Sequence, residues 1–124
     1  MKIFVVEDNK ERNGIFWNTL PKLFANCHLV IAEDAAEAKS ILSKDKDWDL
    51  ILLDHDLGGK VYVKSEEENT GYQVAKFMVE NSVTYKRVIT HSMNPVGAEN
   101  IMSILEDCEH IPFPMLVNYL MGFK

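Results

Sequence analysis

Four nearly continuous apolar runs, each ended by polar residues, dominate this chain: "KIFVV" at 2–6, "HLVIA" at 28–32, "DLILLD" at 49–54 and "RVITHS" at 87–92. Runs without polar alternation belong to strands covered on both faces. A weaker fifth run, "HIPF" at 110–113, contains Pro112. Proline cannot donate to a ladder, so this run reads as an edge strand. Helical patterns fill the gaps. Residues 10–20 place Ile15, Phe16 and Leu20 on one side, and Pro21 ends or kinks that helix. Asp34 suits the N-cap of a helix over 35–44 with Ala38, Ile41 and Leu42 inward. A third helix is expected over 72–81. A fourth is capped by Asn94, with Pro95 in its first position and Ala98, Ile101, Met102 and Leu105 as its apolar stripe. A short, mostly buried helix is expected from Pro114 onward. Strand and helix thus alternate about five times, which predicts an α/β fold: a parallel sheet with helices on both faces, joined by right-handed crossovers.

The chain has 124 residues, read as one domain over 1–124, and its 47% hydrophobic content is enough for a full core. Its 13 basic and 19 acidic residues give a net charge of −6. That balance argues against binding long nucleic acid, which needs clustered Lys and Arg. A small phosphorylated ligand held by a metal or by backbone amides is compatible with it. No apolar run approaches the roughly 18 residues of a membrane span. The opening "MKIFVVEDN" has too short an apolar stretch for a signal peptide, so the expected location is cytoplasmic. Cys27 and Cys108 stand far apart in sequence and read as two free thiols in a reducing compartment.

In an open parallel sheet, ligands bind beyond the carboxyl ends of the strands. Glu7 and Asp8 follow the first strand; Asp54, His55 and Asp56 follow the third; His91, Ser92 and Asn94 follow the fourth. One acid at a strand end is ordinarily just exposed. Glu7, Asp8 and Asp54 at the same end repel one another unless they protonate or share a cation. Such oxygen-rich sites suit Mg²⁺. His28 and His110 begin strands and lie at the other end. Strand side chains alternate with period 2. If Asp54 lies beside Ser92, His55 therefore lies beside His91, and the two imidazoles form an acid–base pair with Asp56 alongside. The free amides that open the fourth helix would hold phosphate there, with Gly97 allowing close approach and Ser92 and Asn94 adding hydrogen bonds. The segment 58–71, "GGKVYVKSEEENTG", is long for a loop between strand and helix. Its "KVYVK" alternates as a small ribbon would, "SEEEN" is a solvated acidic run, and a lid over the site is a natural role.

A short strand ending in "VVEDN", a third ending in "LILLD" and a fourth ending in "VITHS" resemble a response-regulator receiver domain over nearly the whole chain. The resemblance implies a flavodoxin-like, three-layer αβα sandwich with a doubly wound five-stranded parallel sheet of order 2-1-3-4-5. It also implies that Glu7 and Asp8 help bind Mg²⁺, that Asp54 accepts phosphate, and that Ser92 contacts the phosphoryl group. Receivers keep a lysine, usually before proline, at the end of the fifth strand. Here the region reads "CEHIPFPM", and no lysine occurs between Lys86 and Lys124. The pieces "HDLGG" and "HS.N..G" look instead like an atypical branch, the cyclic-phosphate-processing receivers. That likeness implies an activity on cyclic phosphates of nucleotides or RNA ends. His55 and His91 would then be acid and base, with Asp54, Asp56, Ser92 and Asn94 around them.

Three readings follow. The first is a phosphoesterase or binder of a cyclic phosphate, with Mg²⁺ as cofactor and a small phosphorylated ligand or nucleotide as partner. The second is a pseudo-receiver that only contacts a protein partner. The third is an ordinary phosphoacceptor, in which Asp54 takes phosphate from a kinase.

Overall fold

In a computed structural model, which describes residues 1–122, the alternation expected from the apolar runs is present. The strands are β1 (Lys2–Val6), β2 (His28–Ala32), β3 (Asp47–Leu53), β4 (Thr84–Thr90) and β5 (Cys108–His110). The helices are α1 (Lys10–Leu23), α2 (Ala35–Lys44), α3 (Gly71–Glu80), α4 (Pro95–Ile104) and α5 (Phe113–Met121). All strands are parallel, in the order β2-β1-β3-β4-β5. β1, the first strand made, therefore lies inside the sheet, and the connection from β2 to β3 crosses over it. This crossing creates the switch point above the carboxyl ends of β1 and β3.

The two faces of the sheet carry separate cores. Phe4, Val6, Ile51, Leu53 and Val88 pack under α2, α3 and α4 through Leu42, Val74, Met78 and Ile101. Ile3, Val5, Leu50, Leu52 and Ile89 pack under α1 and α5 through Phe16, Leu20, Leu116 and Leu120. Consecutive residues of one strand serve opposite cores, as a pleated strand requires.

Several boundaries differ from the sequence expectation. α1 runs through Pro21 to Leu23 and closes with the Phe24 amide on the Leu20 carbonyl. A proline in the last turn removes only one bond, so the helix survives it. β5 lies over Cys108–His110 rather than 110–113: the Ile111 amide makes a last ladder bond to the Thr90 carbonyl, and Pro112 has no amide to continue it. α5 buries only one side: Leu116 and Leu120 are buried while Met115 is exposed. "KVYVK" forms no ribbon. Within 58–70 the only bridge joins Asp56 to Thr70, and the left-handed φ angles of Gly58, Gly59 and Tyr62 (77°, 75° and 52°) curl the chain instead. Glu66, Glu67 and Glu68 are exposed, as expected of the acidic run.

Candidate functional site

The register decides which strand-end side chains meet. Val6 pairs with Leu53 and Leu53 with Thr90. The ladder continues one step, as the Asp54 amide bonds the Val6 carbonyl and the His91 amide bonds the Leu53 carbonyl. Glu7, Asp54 and His91 therefore stand in one row across β1, β3 and β4. Their side chains point toward the α1/α5 face. His55 and Ser92 belong to the next row and point toward α3 and α4.

This corrects the expected histidine pair. The period-2 reasoning holds, but Asp54 lies against His91, not against Ser92. A slip of one residue moves a side chain to the opposite face. His91 packs edge-on against Phe16 of α1 and Phe113 of α5, with ring centroids 5.5 and 6.2 Å away. His55 packs against Gly97 of α4, where an added Cβ would meet the ring at 2.3 Å. The two imidazoles cannot flank one substrate atom.

On the α1/α5 side the row is charged and buried. Glu7 and His91 are both 0% exposed, and Asp54 is 4% exposed. His91 Nε2 donates to Glu7 Oε1 at 2.9 Å. The Asn9 amide donates to Glu7 Oε2, and the Asn13 side chain donates to the Glu7 carbonyl. Arg12 reaches over from the first turn of α1, its guanidinium 3.5 Å from Glu7 and 3.9 Å from Asp54. The same guanidinium lies over the Phe113 ring at 4.9 Å, a cation–π contact that fixes its plane.

The two carboxyls are driven apart. Burial alone would raise Glu7, but the hydrogen bond and electrostatic attraction of His91, the Asn9 amide and Arg12 outweigh it and hold its pKa low, at about 2. Asp54 moves the other way, from 3.8 up to about 8, because of its burial and then the neighbouring charge of Glu7. The row therefore holds one more negative charge than it accommodates. It relieves the excess by keeping a proton on Asp54 or by taking up a cation.

Glu7 and Asp54 line an open cavity of about 370 Å³ with Asp8, Asn9, Arg12, Asp56, Gly59 and Lys60. Asp8 sits at its rim and accepts from the Gly59 amide at 2.6 Å. The donor set fits a divalent cation. Glu7, Asp54 and His91 each offer a ligand atom, all within 4.8 Å of one another, and Asp54 carries the uncompensated charge.

The other face is a closed hydrogen-bond network. Asn100 donates to Ser65 Oγ, Ser65 donates to His55 Nε2 at 2.8 Å, and His55 Nδ1 donates to Asp56 Oδ1 at 2.8 Å. Asp56 also accepts from Asn94 and from the amides of Tyr62 and Val63. Burial works against its charge, but these donors, His55 first, hold its pKa below the ordinary value. Asn94 caps α4 by accepting from the Gly97 amide, and the Asn94 amide bonds Ser92 Oγ. The approach expected at Gly97 is thus filled by the His55 ring, and the amide expected for phosphate is taken by Asn94. Ser92, Asn94 and Gly97 are buried on this side and do not line the cavity. The network also fastens the long segment, whose Val63 and Ser65 are buried. It is a packed strap over α4, not a free lid.

Sequence reasoning missed Arg12, Lys60, Ser65 and Asn100. Arg12 left a trace: it stands four residues before the inward-facing Phe16, so both share one face of α1. Ser65 left none, because a serine in an acidic loop looks solvated until the strap is folded.

A family model described as cyclic-phosphate processing receiver domain matches residues 1–107. No curated protein matches the chain. Among solved structures, the chain is similar to the N-terminal domain of a response regulator/sensory box/GGDEF three-domain protein from Carboxydothermus hydrogenoformans. That likeness has 23% identity and a TM-score of 0.70, covering 98% of this chain and 89% of that one. The manganese(II)-bound form of the response regulator Rcp1 is similar at 21% identity and a TM-score of 0.68, with 98% and 90% covered. The chemotaxis protein CheY4 of Vibrio cholerae is similar at 17% identity and a TM-score of 0.68, with 98% and 93% covered. At these identities the structures establish the CheY-like, flavodoxin-like fold. No helix among the described residues is long and apolar enough to cross a membrane.

Proposed function

This chain belongs to the cyclic-phosphate-processing receiver family, and on that premise we propose that its open cavity binds or processes a phosphate ester, a cyclic phosphate on a nucleotide or RNA end. The observation that carries this reading is the convergence on one cavity of buried carboxylates, Glu7 and Asp54, with a fixed guanidinium, Arg12. An anion does not enter a pocket of carboxylates unless cations are set there first. Arg12 is one, forked and stacked on Phe113, and Lys60 on the strap is another. Glu7 and Asp54 would hold a divalent cation, Mg²⁺ or Mn²⁺, with Asp8 at the rim of the same cavity. When bound, it would neutralise the row and draw phosphoryl oxygens toward it.

The remaining residues act on position. Asn9 and Asn13 orient Glu7. Asp8 ties Gly59 down and so sets Lys60 over the cavity. Asp56 stands at the rim with its oxygens occupied by four donors. It holds the strap rather than moving protons. With the two histidines on opposite faces, no two-histidine acid–base step belongs to this reading.

Calorimetric titration with 2′,3′-cyclic nucleotides and cyclic dinucleotides, with and without Mg²⁺ or Mn²⁺, tests it. Saturable binding that needs the cation and disappears in Asp54→Asn is expected, and chromatography of the mixtures separates binding from turnover. Absence of both binding and turnover with the cation present sinks the reading. A covalent Asp54 adduct after treatment with acetyl phosphate would favour a phosphoacceptor instead. Ile111 before Pro112, in the strand row that contains His91, argues against that outcome.

A further inference from the structure

Resting on the divalent-cation site proposed above, we infer that His91 is a third protein ligand of that cation, so that the site prefers Mn²⁺, and borderline ions of its kind, over Mg²⁺. The position of His91 comes from the register. Neighbouring strands lie about 4.8 Å apart, and Glu7, Asp54 and His91 occupy one row on three adjacent strands. Their side chains leave the sheet together on the α1/α5 face, and a ligand atom from each comes within 4.8 Å of the others.

The surroundings of the ring point the same way. His91 is fully buried and held edge-on between Phe16 and Phe113. That packing leaves Nε2 directed at the carboxylates and nowhere else. Its other nitrogen, Nδ1, is buried without a hydrogen-bond partner. A histidine kept only for packing would cost less as an apolar ring of similar size, because a buried polar atom left unpaired destabilises the fold. The row keeps an imidazole nonetheless, with its one directed nitrogen at the edge of two carboxylates.

The chemistry then selects the ion. Mg²⁺ favours oxygen donors in a tight octahedron and is reluctant to lose water. An imidazole nitrogen suits first-row ions such as Fe²⁺ and Zn²⁺, and Mn²⁺, at the weak end of that series, still accepts one more readily than Mg²⁺ does. A neutral third ligand also leaves two carboxylates to balance the two charges of the ion, which a buried site requires. With a metal held at Nε2, the ring's proton would sit on Nδ1, which has no existing bond to lose.

Pulsed electron paramagnetic resonance of the unmodified protein with one equivalent of Mn²⁺ tests the ligand directly. Modulation from a directly bound ¹⁴N is expected. Titration calorimetry then compares Mn²⁺ and Mg²⁺ in the unmodified chain and in His91→Gln, whose amide still reaches Glu7 but offers oxygen. Loss of the nitrogen signal and a fall in the Mn²⁺-to-Mg²⁺ affinity ratio on the order of tenfold or more are expected. If Mn²⁺ binds without nitrogen modulation, or the ratio is unchanged in His91→Gln, the inference is overturned while the cation site stands. If the unmodified chain binds neither ion, both fall. The spectrum of the unmodified chain decides the matter even if the variant folds poorly.

Discussion

Asp54 and His55 are consecutive residues, yet they serve two regions of opposite character. Asp54 faces the α1/α5 side, where its row carries more charge than it can settle. His55 faces α4, where every donor of the surrounding network finds an acceptor. The first arrangement can take a ligand because two carboxyls lie together in an open cavity. The second is closed because its groups satisfy one another. A strand end thus delivers reactivity on one face and anchorage on the other, and the pleat alone decides which residue does which.

The comparison breaks first at His55. If the α4 side is structural, His55→Ala leaves a buried cavity and strips Ser65 and Asp56 of a partner. The expected loss is about 3 kcal/mol of folding stability by urea denaturation. Mn²⁺ affinity of the folded protein should not change, since the cation row lies across the sheet. A large loss of affinity with little loss of stability would reverse the assignment of the two faces.

Gly97→Ala probes the same side with a smaller expected effect. Its new Cβ would lie 2.3 Å from His55 Cγ and 2.5 Å from Nδ1, and the ring is held at both nitrogens and cannot step aside. Overpacking of this kind costs about 2 kcal/mol. In the His55→Ala background that penalty should vanish, because the methyl then enters vacant space. Additive losses in the double variant would mean that Gly97 is needed for another reason.

These two variants also show where sequence reasoning reached and where it stopped. The strands and the helix caps at Asp34 and Asn94 follow from apolar runs and turn chemistry, which are local signals, whereas the sheet order came only with the receiver resemblance. Glu7, Asp8 and Asp54 were legible as a cluster because acids directly after strands must sit at the carboxyl end. The partner of His91 was not legible. Register between β3 and β4 is set by how the cores on both faces pack, and no residue in "LLDHDL" or "VITHS" encodes an offset of one. Arg12 and Ser65 were missed for a related reason: a surface-type residue in a polar stretch acquires its partner only when a distant segment arrives.

The charged row makes a prediction of intermediate size. Asp54 has a folded pKa of about 8 against an ordinary 3.8. Between those values the folded chain holds a proton that the unfolded chain has released. Stability of the metal-free protein therefore falls as pH rises through that window, by on the order of 1 kcal/mol per pH unit. Glu7 is lowered, and its contribution is present above its unfolded value of 4.5 and lost as pH falls toward 2, so the two windows overlap only between 3.8 and 4.5. Asp54→Asn should flatten the slope between pH 5 and 8 and leave that variant more stable than the parent at pH 8. Urea titrations at pH 5, 6, 7 and 8 measure it. A parent profile that rises with pH across that range would remove the excess charge from the picture of this face.

Arg12 gives the smallest effect and the sharpest sign. Its guanidinium stands 3.5 and 3.9 Å from two of the carboxylates that would bind a cation, and it is partly exposed. In that position it attracts an anion and opposes a metal at once. Partly exposed ion pairs contribute about 1 kcal/mol or less, so Arg12→Met, which keeps the apolar stem over Phe113, should scarcely change stability. It should tighten Mn²⁺ binding by a few-fold, because a competing positive charge has gone, and weaken binding of the cyclic phosphate in the presence of Mn²⁺. Arg12→Lys should restore part of the first effect and little of the second, since an ammonium repels the ion equally but lacks the fork that matches two phosphoryl oxygens. Opposite movements of metal and phosphate affinity in one variant cannot arise from a general loosening of the site, which would lower both. If the two affinities fall together in Arg12→Met, the guanidinium is a brace for Glu7 and Asp54 and not a contact for the ligand.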